Sequence, residues 1–420
     1  MKQTYTSRGG AWGELIGKGL GLCLTGVLAT ALTANALAGD TERRQAKRIH
    51  DRLTGVAPSE TVLDAMEQSI VANGGWNTPR SGVAAAQMAM NSDPSDPDYD
   101  PLAYNFYNVT LKNFASPWTN EEQSAFVPLN DYSATVIGMV RDDVPFNQVL
   151  SADVLYKGAA GLPGVAAYSP ANNDHYQDLE DLHYDLSDPA VLQSNVQSTL
   201  NGIPSNATAG VVTSRAAAEA FFIAGTNRAM FRFTMMNHLC TDLEPLKDVT
   251  RPPDRIRQDV SRSPGGDSRI FLNSCVGCHA GMDPMAQAYS YYQYDETSGR
   301  LVYTPGTVQP KYLINADNFR YGYVTTDDHW DNYWRKGQNA NLGWGAEIPE
   351  AQRNGAKTLG QELANSEAFA RCQGIKVYRA VCLSDPSESD LTGLLSASGF
   401  ETSYNMKDLF AYAADACKGD

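Results

Sequence analysis

A chain that contains Cys275-Val276-Gly277-Cys278-His279 must bring two thiols and an imidazole to one face of one short segment. Cysteines three residues apart lie about one helical turn from each other. That spacing lets both thiols add to the two vinyl groups on one haem edge, and the adjacent imidazole then reaches the iron as proximal ligand. With 7 Cys and 6 His in 420 residues, chance would give this pattern only about 0.002 times per chain. A zinc site would need a second ligand pair at matching spacing, and none follows closely. The expected cofactor is therefore one covalently bound haem c, with Cys275 and Cys278 as attachment points and His279 as proximal iron ligand.

The N-terminus supplies the compartment. Lys2, Arg8 and Lys18 form a basic region, Leu20 to Leu32 is apolar, and Ala36-Leu37-Ala38 is a small-residue cleavage site. This predicts a secretory signal peptide over residues 1–38. The apolar run of about 13 residues is short of the roughly 20 that a spanning helix needs, and no later stretch of the mature chain is apolar enough to be transmembrane. Cys23 follows Leu22 rather than a small residue, which argues against a lipoprotein cysteine. The expected location is outside the cytoplasm, periplasmic or extracellular in a bacterium.

A formal charge of -15 argues against nucleic acid and against anionic membrane surfaces as partners. Without Cys23 and the motif pair, Cys240, Cys372, Cys382 and Cys417 remain, and an oxidising compartment predicts two disulfides among them. Three connectivities are open. Cys372 and Cys382 are close enough in sequence to close a short loop, which would leave Cys240 for Cys417.

The pattern along the chain is mainly α, with a helical N-terminal region over 39–207, a haem c domain over 208–420, and long loops. Ser59 can cap a helix from Glu60. Thr119-Asn120-Glu121-Glu122 fits a capping box, and Asp131 to Val140 reads as a helix. Asn91 to Asp100 is an acidic, proline-broken loop, in which calcium ligation is the alternative to a solvated surface. His175 and His183 lie on a polar background and read as surface residues. Ser214 to Cys240 is the longest helical pattern and is apolar nearly all round, so a buried helix is expected. Gly355 to Cys372 reads as a helix, with shorter ones near 375–382 and 406–416.

Extended to Cys275-x-x-Cys278-His279-x-x-Met282-Asp283-Pro284, the motif resembles the CxxCHxxMDP signature of planctomycete-type cytochrome c domain proteins. Arg228 and Pro252-Pro253 resemble that family's region before the haem, Leu359 to Cys372 its C-terminal helix, and Arg43 to Ser59 its opening helix pair. The likeness covers about half of the chain. After Pro284 this chain has Met285-Ala286 where the family often has an aliphatic residue and glycine. The resemblance implies an exported, largely helical haem protein and supplies no substrate.

The second nitrogen of His279 should donate to a carbonyl or carboxylate, and the segment Met282-Asp283-Pro284 is near enough to supply such a carbonyl. Met282 and Pro284 are expected to pack in the haem pocket rather than bind iron. His238 is a candidate distal ligand; Met235, Met236, His329 and an open site are the alternatives. One or two of Arg251, Arg255, Arg257, Arg262 and Arg269 are candidates to pair with haem propionates. Two functions follow. One is electron transfer with an unidentified redox partner protein. The other is a peroxidase-like or oxygenase-like haem enzyme with an open distal site. No catalytic set beyond the haem motif stands at convincing spacing.

Overall fold

The computed structural model describes residues 23–223, 225–313 and 319–419, with side chains from Gly39 onward. The expected signal peptide lies largely outside these residues: of 1–38, only the backbone of 23–38 is described, as the start of a helix that runs Cys23–Thr54. Among the described residues no helix is long and apolar enough to cross a membrane.

The fold is mainly α, as the pattern predicts. The strands among the described residues form two small antiparallel sheets. In one, β1 (Leu155–Gly158) pairs with β2 (Leu192–Asn195), Leu155 opposite Asn195. In the other, β3 (Tyr292–Asp295) pairs with β4 (Arg300–Tyr303), Tyr292 opposite Tyr303.

Local signals account for several helix starts. The Ser59 side chain accepts from the Val62 N–H and opens Glu60–Ala72. Asn130 and Ser133 form a reciprocal capping box that opens Asp131–Arg141. The box expected at Thr119 opens nothing. Asn120 instead folds back, donating to the Ser116 and Ser124 carbonyls and accepting from the Ser124 N–H. The Thr119 hydroxyl, which was to cap a helix, donates to the Ser116 carbonyl instead.

The long pattern from Ser214 is two helices, Arg215–Phe221 and Arg228–Leu239. Gly225 and Asn227 take positive φ between them, and the Asn227 amide donates to the Tyr289 and Tyr292 carbonyls at 2.8 and 2.9 Å. A left-handed asparagine tied to a distant backbone outweighs continued helical periodicity. The break also starts the second helix at Arg228, whose position matters below.

One cluster of buried apolar residues runs from Ala46 to Ala414. The first helix, Val83–Ala89 and the last helix, Met406–Ala416, pack on one another. Asp415 accepts from the Arg80 and Gly82 N–H groups, and Arg48 and Arg52 donate to the Lys418 and Cys417 carbonyls. The first and last described helices are thus tied together.

Two disulfides are present, but the pairing is Cys240–Cys372 and Cys382–Cys417. The short-loop pairing is geometrically excluded. Cys372 and Cys382 sit on one continuous helix, Glu367–Cys382, where ten residues of rise separate them by roughly 15 Å, about twice the Cα separation a disulfide spans.

His175 corrects another expectation. It is buried, accepts from the Gly158 N–H at Nε2, and binds the Ala166 carbonyl through Nδ1. His183 is exposed.

Candidate functional site: the Cys275–Asp283 turn

The segment Ser268–Ala286 is helical throughout, and its character changes at the motif. Asp267 caps it by accepting from the Arg269 N–H. A π-helical turn, Phe271–Cys275, follows, and an α-helix then runs Val276–Ala286. π turns insert an extra residue into a helix and recur at functional sites. Here the wide turn delivers Cys275 to the start of the α-helix that bears Cys278 and His279.

Two glycines let neighbours reach this helix. A Cβ at Gly277 would stand 2.5 Å from Lys247 Cγ and 3.2 Å from the Asp248 nitrogen, and the Asp248 N–H donates to the Gly277 carbonyl at 3.1 Å. A Cβ at Gly281 would stand 1.9 Å from Trp334 Nε1. Trp334 is wholly buried and closes the side of the helix at Gly281.

Cys275 and Cys278 are the free cysteines among the described residues, and both are half-buried. Burial pushes the Cys278 thiol pKa up. Cys275 belongs to a second, small apolar cluster built on Ile256, Phe271 and Ala280, with Val260 and Val276 against it. Val249, Ile270 and Leu272 are exposed beside this segment. Two unpaired thiols among exposed apolar side chains fit a covalently attached, largely apolar macrocycle. Among the described residues no group of three or more His, Cys, Asp or Glu could hold a metal ion, so the thiols have no zinc-type partners there.

The imidazole of His279 is held from behind. Its Nδ1 lies 3.1 Å from Asp283 Oδ1. Asp283 is wholly buried, and it also accepts from Arg228 Nε (2.8 Å, Oδ1) and Nη2 (3.0 Å, Oδ2). Arg228 reaches on to Asp259 at 2.8 Å. Arg257, also wholly buried, lies 4.0 Å from Asp283 and 3.7 Å from Asp259, with its guanidinium over the Tyr312 ring. Burial alone would raise the Asp283 pKa, but Arg228, His279 and Arg257 outweigh it and hold the carboxyl well below the usual carboxylate range. A fixed carboxylate on Nδ1 sets the tautomer and orientation of the ring and leaves Nε2 as the nitrogen available to a metal.

The sequence anticipated a carbonyl from 282–284 behind His279; the group there is instead the Asp283 side-chain carboxylate, at i+4. The role of Arg228 carried no local signal. Met282 and Pro284 are buried. Met282 joins the main core rather than the small cluster around Cys275, and the Pro284 carbonyl accepts from the Asp331 N–H.

His238 stands in a different setting. It is buried, shares a 2.6 Å hydrogen bond between Nε2 and the Tyr132 hydroxyl, and packs against the rings of Trp118 and Phe369. Burial, with Lys376 nearby, pushes its pKa far down, so the ring is neutral. The structure does not bring it together with the motif residues in any hydrogen bond or ring contact among these. Of the five arginines before the motif, Arg251 pairs with Asp248, Arg255 with Asp331, Arg257 with Asp259 and Asp283, and Arg269 with Asp267. Arg262 differs. It donates to the Ile256, Arg257 and Val260 carbonyls and lies over the Phe271 and Phe319 rings.

The acidic loop Asn91–Asp100 borders an open cavity of about 880 Å³ with Asp142, Asp143, Asp185 and Asp188 on its walls. Asp93 and Asp96 there accept from the Ser95 and Asp98 N–H groups, as turn-forming side chains do. The chain matches no protein-family model, no curated protein and no solved structure.

Proposed function

We propose that this chain is an exported monohaem c-type cytochrome that exchanges electrons with a partner redox protein, of the planctomycete-type cytochrome c domain group that its motif resembles. Cys275 and Cys278 would hold the haem by two thioethers, and His279 would bind the iron through Nε2. The observation that carries this reading is the state of three side chains in one turn. Two thiols are unpaired while Cys240, Cys372, Cys382 and Cys417 are in disulfides, and they stand beside an imidazole whose Nδ1 is already engaged by Asp283.

When bound, the haem supplies reversible one-electron exchange at its iron. The chain supplies the rest. Asp283 keeps a proton on Nδ1 of His279 and increases the donor strength of Nε2, which favours the oxidised state and a lower potential. Arg228 and Arg257 keep the Asp283 carboxylate ionised inside the protein. Arg262, without a carboxylate partner among the described ion pairs, is the cation available to a propionate. Two disulfides and the N-terminal basic, apolar and small-residue pattern support export to an oxidising compartment.

The test is covalency. The purified protein, unfolded and extracted with acidic acetone, should retain its haem and show a reduced α-band at about 550 nm in alkaline pyridine. Haem that extracts completely would refute the c-type assignment.

A further inference from the structure

Lys376, half-buried, lies on the helix Glu367–Cys382 one turn after the bridged Cys372, and it lines an open cavity of about 540 Å³. Pro117, Trp118 and Met236 give that cavity apolar walls. The lysine Nζ sits 4.2 Å from the centre of the Trp118 ring and donates to the Asn237 carbonyl. Asn237 is itself fixed: its Nδ2 donates to the Trp118 carbonyl at 3.2 Å, and its Oδ1 accepts from Gln123 at 2.9 Å. The amino group is thus held at a set place on the cavity wall.

Among the described ion pairs no carboxylate answers this lysine, whereas Lys47, Lys112, Lys407 and Lys418 each pair with an aspartate or glutamate. Asp242, on the same cavity wall, is taken by Arg232 at 2.7 and 2.8 Å. The charge that bears on Lys376 is instead the Arg379 guanidinium, three residues along the same helix. Burial and this second cation both disfavour the ammonium form, and they push the Lys376 pKa well below the usual lysine value. The Trp118 face attracts a cation, but it returns only part of the hydration that burial removes. An uncharged amine can still donate to the Asn237 carbonyl while its lone pair stays free. A desolvated lysine beside another cation is the arrangement that turns an amine into a nucleophile near neutral pH.

We propose that Lys376 is a carbonyl-reactive amine and that its cavity takes an apolar aromatic aldehyde. The nitrogen lone pair bonds to the carbonyl carbon, and the C=O electron pair moves to the oxygen. The two N–H hydrogens then leave with that oxygen as water, and an imine remains, so no oxidant or reductant is needed. The ring of the aldehyde stands against Pro117, Trp118 and Met236, walls that favour a neutral molecule over an anion. No residue of the Cys275–Asp283 turn lines this cavity, and the proposal is independent of the haem reading. Lys311 is the internal control. Burial lowers its pKa as well, to about 8, and it donates to the Phe222 carbonyl.

The probe is benzaldehyde with cyanoborohydride, which reduces an imine to a stable secondary amine. It is added to the wild-type protein near neutral pH, and the labelled lysines are mapped by peptide mass spectrometry. Lys376 should be benzylated at least about tenfold faster than Lys47, Lys112 and Lys407, whose ammonium groups are ion-paired. Excess benzoate should not slow that labelling. Lys376→Arg should abolish the fast site and leave the other lysines unchanged. Labelling of Lys376 no faster than that of the ion-paired lysines in the wild-type protein overturns the proposal. So does labelling of Lys311 ahead of Lys376, because low basicity alone then decides and the cavity adds nothing. Protection of Lys376 by benzoate overturns it too, since the wall then holds an ammonium for an anion.

Discussion

Asp283→Asn exchanges one carboxylate oxygen for an amide with almost no change in volume, so its effect reports charge and hydrogen bonding rather than packing. In the native site Oδ1 accepts from His279 Nδ1 and Arg228 Nε, and Oδ2 accepts from Arg228 Nη2. Asparagine keeps one oxygen. With that oxygen in the Oδ1 place, its NH2 confronts the Arg228 Nη2 donor; flipped, it loses both the His279 and the Nε bonds. Either way Arg228 keeps a single carboxylate partner, Asp259, and Arg257 loses a neighbouring charge. Removing one partner of a buried ion pair costs about 3–5 kcal/mol. Arg228 keeps one carboxylate, so the lower end, about 3 kcal/mol, is expected, against a total domain stability of roughly 5–15 kcal/mol. The pH dependence has a definite sign. The Asp283 pKa is depressed in the folded protein, so its stabilisation is complete above the unfolded value of about 4 and is lost as pH falls through the folded pKa. Urea unfolding followed by tryptophan fluorescence, with the disulfides intact, measures both effects. A deficit below about 1 kcal/mol at pH 7 would refute the argument, as would a gap between variant and wild type that widens on acidification. In the haem-loaded protein the same change should raise the reduction potential.

Four other outcomes follow from the structure. Proteolytic mapping without reduction should recover peptides joining Cys240 to Cys372 and Cys382 to Cys417, and removing the first bridge, which spans 132 residues, should cost at most about 5 kcal/mol by loop entropy. Gly281→Ala should destabilise by about 3 kcal/mol in urea, because the new methyl meets the buried Trp334 indole at 1.9 Å. Cys278→Ala should leave one thioether to Cys275, readable as a red-shifted pyridine haemochrome band and as haem still attached after denaturation. Burial raises the Asp328 pKa to about 6, so the folded state binds the extra proton between about pH 4 and 6 and stability falls as pH rises through that window; Asp328→Asn should therefore gain in melting temperature over wild type at pH 7 and lose that gain at pH 4.

Much of the site is legible in the sequence because its spacing is local. Cys275, Cys278 and His279 fall within about one helical turn, and Asp283 stands at i+4 from His279 on the same helix, so periodicity alone puts these groups within reach of one another. The helix at Asp131 and the cap at Ser59 were legible for the same reason: each is decided by side chains three or four residues apart. What the sequence by itself determined is thus the helical class, the Cys-x-x-Cys-His spacing and the number of disulfides. Tertiary structure decided the rest. Cys372 cannot meet Cys382 because one unbroken helix holds them apart, and that helix is set by packing on its neighbours. The long helical pattern breaks at Asn227 because a distant backbone captures its amide, and only that break places Arg228 behind Asp283, 55 residues away. The fate of His238 turned on Tyr132, 106 residues earlier, and the burial of His175 on a strand and a loop that fold over it. Contacts of that separation leave no periodic trace, because they depend on which apolar faces pack together and not on the spacing of residues along one element.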